Sequence, residues 1–263
     1  MYNYLNDAMK INFTNAMEYR ICEKSKCNCQ IKATICGECY QDPDAVSKKL
    51  YVDIRNIFSQ KDLFCFSVVG NRKQWYLKFD DLYEHQLSTD YIGPSRNLAL
   101  KYLNGNSENK AKIIGNFLLT SRTIGGHVFW PAHQINKQNT INQVKGKSGI
   151  FDRIDITLAE IENFYKSRYA GEALYSKPLY EALQRYQWFF EIFHTFPNFV
   201  KKMKLDDFLD NNKVISLLES DLENKIVKSL SQNSNFEPSN YVLYISNCCI
   251  LIKKRTKRIN QEE

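Results

Sequence analysis

The segment from Leu63 to Phe79 limits the choice of fold most, because it places two runs of strand-forming residues on either side of a turn. Leu63–Val69 is short, aromatic and β-branched, as strands typically are. Gly70-Asn71 has the composition of a turn, and Gln74–Phe79 is the expected returning strand. The segment therefore predicts an antiparallel β-hairpin and excludes a chain built only of helices.

The pattern becomes helical after Asp155. Thr157-x-x-Glu160 matches a capping box, and Ser176-Lys177-Pro178 places a proline in the first turn of a second amphipathic helix. Further helices are expected at Phe199–Leu209, Val214–Leu230 and Pro238–Arg258. We therefore expect an α+β fold that is predominantly helical, with a small antiparallel β-hairpin or sheet in the first half and a helical second half.

The segments on either side of the hairpin have weaker patterns. Asp42-Pro43-Asp44 indicates a turn before a helix, and residues 95–120 favour two helical pieces. Short strands are expected at Val128–Trp130 and Thr140–Asn142. Because only 10 Gly and 6 Pro are available to form linkers, we expect residues 42–263 to form a single α+β domain with a helical C-terminal half.

The first 41 residues form a separate, cysteine-rich segment. A structural zinc ion needs four converging thiolates, and a Cys-x-x-Cys pair can turn tightly around one. The spacing of the other cysteines is irregular, so reduced and partly buried thiols stay open as the alternative. The candidate zinc ligands are Cys22, Cys27, Cys29, Cys36 and Cys39.

Charge and hydropathy limit the classes of partner. The formal net charge is +7, and a basic cluster near the C-terminus contains Lys253, Lys254, Arg255, Lys257 and Arg258. A mild basic excess is compatible with nucleic acid but does not require it. The chain does not begin like a signal peptide, and no apolar run approaches the roughly 18 residues of a membrane helix. We therefore expect a cytoplasmic protein without a membrane partner.

The polar stretch from Arg122 to Asp155 is the expected functional loop, because it lies between two apolar segments. Two adjacent glycines can bring backbone N–H groups close to a phosphate, and arginine and lysine side chains supply positive charge. A tryptophan offers a face for stacking, and small polar side chains offer hydrogen bonds. The predicted ligand-binding residues are Arg122, Gly125, Gly126, Trp130, Thr140, Asn142, Lys145, Arg153 and Asp155.

Two other interpretations of the same stretch stay open. In a structural interpretation, Arg153 pairs with Asp155 or Asp152, and the glycines serve only a turn. In a catalytic interpretation, Arg122 and His127 have the spacing of the Arg/His pair of a helical ribonuclease family that acts in host–phage conflict. Gly125 and Gly126 oppose a helix between them, and none of the common hydrolase, nucleotide-loop or metalloprotease motifs is present.

Several short motifs together resemble an uncharacterised domain-of-unknown-function family found in bacteria and on mobile elements. The resemblance covers about residues 42–259 and supplies no activity, cofactor or catalytic residue. It implies a single unit over most of the chain. The matching motifs are Asp42-Pro43-Asp44, Thr123-Ile124-Gly125-Gly126 with Phe129 and Pro131, Thr140-Ile141-Asn142, Gly146, Asp152–Leu158, Arg185-Tyr186, Phe189-Phe190 and Lys254–Ile259.

Three functional hypotheses follow. The first is a bacterial or phage-borne host–phage conflict protein that binds nucleic acid or a nucleotide through residues 122–155, with the basic C-terminus assisting. The second is a non-enzymatic inhibitor that binds a protein of a defence complex. The third is an abortive-infection ribonuclease that uses Arg122 and His127. The sequence leaves open whether the protein is an enzyme.

Overall fold

The computed structural model describes residues 47–59, 65–71, 74–79, 85–93, 96–103, 108–147, 150–218, 222, 231–232 and 235–261. The α-helices are α1 (Lys48–Ser59), α2 (Arg96–Leu103), α3 (Glu108–Ser121), α4 (Ile141–Lys147), α5 (Ile154–Lys166), α6 (Lys177–Arg185), α7 (Gln187–Glu191), α8 (Phe196–Lys202) and α9 (Pro238–Gln261). The strands are β1 (Phe66–Asn71), β2 (Gln74–Phe79), β3 (Gln86–Tyr91), β4 (His127–Pro131), β5 (Leu209–Asp210), β6 (Lys213–Val214), β7 (Ser231–Gln232) and β8 (Asn235–Phe236).

The first four strands form an antiparallel sheet in the order β1-β2-β3-β4. The predicted hairpin is confirmed, with Phe66 opposite Phe79. The turn was expected at Gly70-Asn71, but these two residues end β1 and pair with Trp75 and Gln74. Gly70 has a φ of 125° at the end of β1, a conformation that favours glycine. The α+β class, with the sheet in the first half and a helical second half, is therefore confirmed.

Helix α1 covers one face of this sheet. Phe58 packs edge-on against Phe129 of β4 with 5.1 Å between ring centroids, and Phe66 packs against the same ring at 5.5 Å. The Tyr51 hydroxyl accepts a hydrogen bond from the Thr89 N–H. Because side chains alternate along a strand, the opposite face carries the more polar residues of β2 and β3.

Aromatic rings join the sheet to the helical half. Phe129 lies 6.4 Å from Phe189, and Trp130 stacks on Phe199, also at 6.4 Å. Around Phe199 the rings of Phe190 and Phe193 lie 5.8 and 5.0 Å away. Large rings bury much apolar surface with few rotatable bonds, so this cluster supplies a well-defined core.

Helix α9 packs against α3 and against the short 3-10 turn Ile124–Gly126 that precedes β4. Its Arg255 is 1% exposed and donates hydrogen bonds to the carbonyls of Gly125 and His127 at 2.8 and 2.7 Å. The same guanidinium donates to the carbonyls of Met203 and Lys204 at 3.0 and 2.7 Å, just after α8. One side chain thus links the last helix, the β4 entrance and the end of α8.

Two local predictions in the second half were wrong. Val214–Leu230 is not one helix, because Val214 lies in the β5–β6 hairpin and residues 215–218 are irregular. Asn211 and Asn212 adopt left-handed conformations at its turn, as two-residue hairpins require. The helix expected over Phe199–Leu209 instead begins at Phe196 and ends at Lys202.

The strand predicted at Thr140–Asn142 was also wrong. Thr140 precedes α4, where its hydroxyl accepts a hydrogen bond from the Gln143 N–H at 3.3 Å. In return the Gln143 side-chain oxygen accepts from the Thr140 N–H at 2.9 Å. This reciprocal pair is a capping box, and it starts a helix rather than a strand.

The close approach of α9 to the turn before β4 leaves no room for a side chain at Gly125. A methyl group at Gly125 would overlap the hydroxyl and backbone nitrogen of Thr256 and lie 2.7 Å from the Ile252 carbonyl oxygen. We expect Gly125→Ala to lower the free energy of unfolding by about 2 kcal/mol or more in urea titrations. The matched control is Gly115→Ala in α3, where the space is open, and we expect a gain of roughly 0.5–1 kcal/mol. Equal effects of the two substitutions would contradict this account of the packing.

Candidate functional site

The polar stretch 122–155 divides into a buried part and an exposed part. Residues 122–131 are all buried, from the end of α3 through the 3-10 turn and β4. Residues 132–139 are half-buried or exposed and form the loop that connects β4 to α4. All nine predicted ligand-binding residues lie outside this exposed loop.

The twin glycines have no N–H groups available for a phosphate. The Gly125 N–H donates to the Thr256 hydroxyl at 3.2 Å, and the Gly126 N–H donates to the Thr123 carbonyl at 2.9 Å. Both glycines are buried. They lie in a turn, as the structural interpretation proposed, and they also allow α9 and the end of α3 to approach this turn closely.

Arg122 is 1% exposed and lies inside the protein. Its guanidinium carbon is 3.7 Å from the centre of the Tyr91 ring, and its Nη1 donates to the Ser121 hydroxyl at 2.9 Å. Stacking over an aromatic ring is a favourable arrangement for a desolvated guanidinium. The arginine therefore stabilises the junction between α3 and β3.

Arg153 and Asp155 form a fully buried ion pair. Two guanidinium nitrogens of Arg153 contact the two carboxylate oxygens of Asp155 at 3.2 and 2.6 Å. The Leu217 N–H donates to the same carboxylate at 3.0 Å. The pair thus fastens the segment after β6 to the start of α5. Arg122 and Arg153 do not meet at one open surface, because each is buried with its own partners.

Lys145 lies between two carboxylates, with its Nζ 2.6 Å from Asp90 and 3.5 Å from Asp152. Burial lowers the pKa of Lys145, but the two carboxylates outweigh burial and raise it overall. Burial raises the pKa of Asp152 to about 6, and Asp90 raises it too, against the lowering effect of Lys145. Trp130 is 1% exposed beneath the ammonium, so its ring is not available to stack on a ligand.

The small polar residues of the stretch have local roles. Thr140 is 6% exposed and caps α4, as described above. Asn142 is half-buried in the first turn of that helix. Its side-chain oxygen is buried, and within the described part of the chain it accepts no hydrogen bond.

His127 is 3% exposed at the start of β4. Burial holds its pKa well below the ordinary value, and the nearby positive charges of Arg122 and Arg255 lower it further. Arg122 and His127 are separated by a 3-10 turn instead of sharing a helical face. A ribonuclease mechanism needs an accessible imidazole that exchanges protons near neutral pH, and this geometry does not supply one.

An open pocket of about 410 Å³ lies where the exposed loop meets the polar side of the sheet. We call it the sheet–loop pocket, and among the described residues none of those lining it carries a carboxylate. Its lining residues are Gln74 and Tyr76 of β2, Gln86 of β3, and Ala132, His133, Gln134 and Lys137 of the loop.

The loop side of this pocket is anchored to the helical half. The Tyr186 hydroxyl donates to the His133 carbonyl at 2.7 Å, and Arg185 donates to the Asn139 carbonyl at 2.9 Å. Asn136 and Lys137 both have left-handed backbone conformations, with φ of 52° and 59°. Left-handed backbone is unfavourable for lysine, so the fold holds the tip of this loop in a defined shape.

The polar residues of β2 and β3 were not predicted as site residues. Sequence reasoning missed them because they lie far along the chain from the loop, and because β3 was not recognised as a strand. The available signal was the alternation in β2, which places Gln74, Tyr76 and Lys78 on one face of the hairpin.

A second, larger cleft of about 800 Å³ lies between α5 and the β5–β6 hairpin. Its charges are mixed, with Glu162 and Lys166 paired at 2.7 Å on α5 and Asp210 and Lys213 on the hairpin. Because the carboxylates balance the ammonium groups, this cleft has no preference for an anion.

The basic C-terminus is only partly solvated. Arg255 is buried, and Arg258 forms ion pairs with Asp206 and with Asp207, the latter at 2.7 Å. The exposed cations of α9 are Lys253, Lys254 and Lys257. Fewer positive charges face the solvent here than the sequence suggests.

Metal-ligand clusters and membrane-spanning helices are both absent from the described residues. No group of three or more His, Cys, Asp or Glu side chains there is arranged to hold a metal ion. The helices of the described ranges include none long and apolar enough to cross a bilayer. The candidate zinc ligands, Cys22, Cys27, Cys29, Cys36 and Cys39, lie outside the described residues, so the zinc site stays a prediction.

These features define the protein as an α+β fold with buried ion pairs and an open pocket between its sheet and the loop that follows β4. The chain belongs to DUF6994, a family of unknown function whose model matches residues 27–259. This confirms the resemblance to a domain-of-unknown-function family. The match begins at Cys27, inside the cysteine-rich segment, whereas the motifs alone indicated a start near residue 42. Comparison with curated proteins and with solved structures finds no match.

Because His127 is buried as the neutral imidazole, it makes stability sensitive to acid. Its pKa is lower in the folded state than in the unfolded state, so protons bind preferentially to the unfolded chain below about pH 6.5. We expect His127 to remove up to about 1.4 kcal/mol of stability per pH unit of acidification in that range. The measurement is the slope of the unfolding free energy against pH. His127→Gln should have a shallower acid slope, and an unchanged slope would contradict a buried neutral imidazole.

The titration of Asp152 changes stability with pH in the opposite direction to that of His127. Its pKa in the folded state is about 6, above the ordinary value, so the folded state binds the proton more tightly than the unfolded state does. The contribution of this group to stability therefore falls as the pH rises from about 4 to about 6. Asp152→Asn removes that contribution while Asp90 still pairs with Lys145. We therefore expect the variant to lose more stability than the wild type when the pH is lowered from 6 to 4. A variant with the wild-type slope would show that Asp152 titrates normally.

Proposed function

We propose that the protein binds nucleic acid or a nucleotide, and that the binding surface is the sheet–loop pocket. The observation that carries this proposal is the composition of the pocket. Amide, phenol, imidazole and ammonium groups converge on a concave space of about 410 Å³ without a carboxylate among the described lining residues. A concave site with a few convergent polar groups is the usual form of a ligand site.

Each class of lining group matches a part of a nucleotide. An ammonium group such as that of Lys137 attracts phosphate, and the ring of Tyr76 offers a face on which a base stacks. The amides of Gln74, Gln86 and Gln134 each carry donors and an acceptor, as base edges do. The pocket therefore has the chemistry expected of the 122–155 stretch, but it uses the exposed loop and the sheet instead of the buried arginines.

The proposal includes a biological role in host–phage conflict. The family resemblance points to bacteria and mobile elements, and we place the binding activity in host–phage conflict. The ribonuclease alternative is not favoured, because His127 is 3% exposed and its pKa lies well below neutral.

The alternative of a non-enzymatic inhibitor that binds a defence protein has one supporting observation. Leu243 and Ile250 lie seven residues apart on the outer side of α9 and are 38% and 53% exposed. Residues seven apart lie on one face of a helix. Two apolar side chains form a small patch, so the sheet–loop pocket remains the stronger candidate surface.

Fluorescence anisotropy with labelled RNA, DNA and nucleotide probes tests the proposal. We expect binding that weakens as salt is added, and a further loss in Lys137→Gln, because phosphate contacts release counterions. Lys201→Gln is the matched control, since Lys201 is exposed at the end of α8 and outside the pocket lining. Absence of binding to every probe at low salt, or equal losses in the two variants, would rule out this site.

A further inference from the structure

Lys78 follows Tyr76 on the same face of β2, next to the lining of the sheet–loop pocket, and its position bears on the form of the ligand. Resting on the proposed function, we infer that the ligand is a single-stranded nucleic acid. One unpaired base occupies the pocket against Tyr76, and the adjoining backbone passes along β2 towards Lys78.

The concave shape of the pocket favours an unpaired base. In a duplex the bases are stacked and paired inside the helix, and a base reaches a protein pocket only after it leaves the stack. In a single strand the bases are already free to turn outward. A pocket of about 410 Å³ is near the lower end of the volumes that hold small ligands, which suits a single nucleotide unit.

The side chains around the pocket fit one base better than they fit a phosphate group alone. Gln74 and Gln86 line the pocket from neighbouring strands. Gln134 lines it from the loop, where its Nε2 donates to the Gln143 side-chain oxygen at 3.2 Å and its own side-chain oxygen is the acceptor it offers a base. Three amides around one aromatic ring complement a nucleobase, which has a flat face and a polar edge. A free phosphate needs several cations or N–H donors instead, and Lys137 is the one ammonium group among the described lining residues.

The strand geometry supplies a path for the backbone. Tyr76 and Lys78 are two residues apart on β2, so their side chains share a face and lie about 6.7 Å apart along the strand. Lys78 is opposite Gln86, which lines the pocket. Lys137 lies on the loop side. With Lys78 on the sheet and Lys137 on the loop, we infer that a single strand makes two phosphate contacts, whereas a nucleoside monophosphate makes one.

Two phosphate contacts predict a measurable salt dependence. For single strands, each neutralised phosphate contributes about −0.7 to the slope of log K against log salt concentration. We expect a slope of about −1.4 for the wild-type protein. Lys78→Gln and Lys137→Gln should each reduce the slope to about −0.7, and Lys201→Gln should leave it unchanged.

The decisive experiment compares a labelled single strand of about eight nucleotides with the duplex of the same sequence. The free mononucleotides are added as competitors. The single strand is prepared as RNA and as DNA to distinguish the two sources of the same chemistry. We expect the single strand to bind at least about ten-fold more tightly than the duplex. Tyr76→Ala should weaken single-strand binding about ten-fold, while Tyr76→Phe, which keeps the ring, should bind as the wild type does.

The outcomes separate this inference from the proposed function. Equal binding of duplex and single strand, or mononucleotides that compete as well as the oligonucleotide, would overturn the single-strand inference and leave the binding function standing. Single-strand binding that Tyr76→Ala does not weaken, in a variant with wild-type circular dichroism and unfolding free energy, would also overturn it. No binding to any of the probes would remove both proposals.

Discussion

The buried guanidinium of Arg255 is the interaction on which the arrangement of the two halves depends. It donates hydrogen bonds to the carbonyls of Gly125 and His127 before β4 and to those of Met203 and Lys204 after α8. Burial is the main reason that its pKa falls to about 9, so the group stays charged at neutral pH. A buried charge is tolerated only when hydrogen bonds replace its hydration, and four carbonyl dipoles do this here. Because the four acceptors lie in two separate segments, satisfying one charge on α9 fixes the positions of three parts of the chain.

The same requirement explains why the polar stretch is mostly interior. Each cation in it is desolvated and satisfied differently: Arg122 by the Tyr91 ring, Lys145 by two carboxylates, and Arg153 by a two-point ion pair with Asp155. Such pairs contribute little net stability compared with apolar packing, but leaving one member unpaired is costly. The stretch therefore determines which segments pack together. Its many polar residues reflect these buried ion pairs and ring contacts as much as they indicate a binding loop.

The sequence predicted those elements whose patterns are local. The hairpin of β1 and β2 and the long helix α9 are read from alternation and helical periodicity, and both are confirmed. Strand β3 was missed because QLSTDY is mostly polar, and it is a strand because its neighbours on both sides pair with it. The predicted helix Val214–Leu230 was wrong because two asparagines turned the chain just before it. The sheet–loop pocket was not predicted, since its lining comes from three separated segments and no local pattern brings them together.

The position of the pocket follows from how the two faces of the sheet are used. Helix α1 and the rings of Phe58, Phe66 and Phe129 occupy one face, so the polar side chains of β2 and β3 must lie on the other. The loop that borders this second face is held by Tyr186 and by Arg185 from the helical half. One wall of the pocket thus belongs to the sheet and the other is fastened to the helices. A ligand that contacts both walls adds a further link between the two halves. Because it binds only when both walls are in place, it must stabilise the folded protein, by an amount that grows with the logarithm of ligand concentration over Kd.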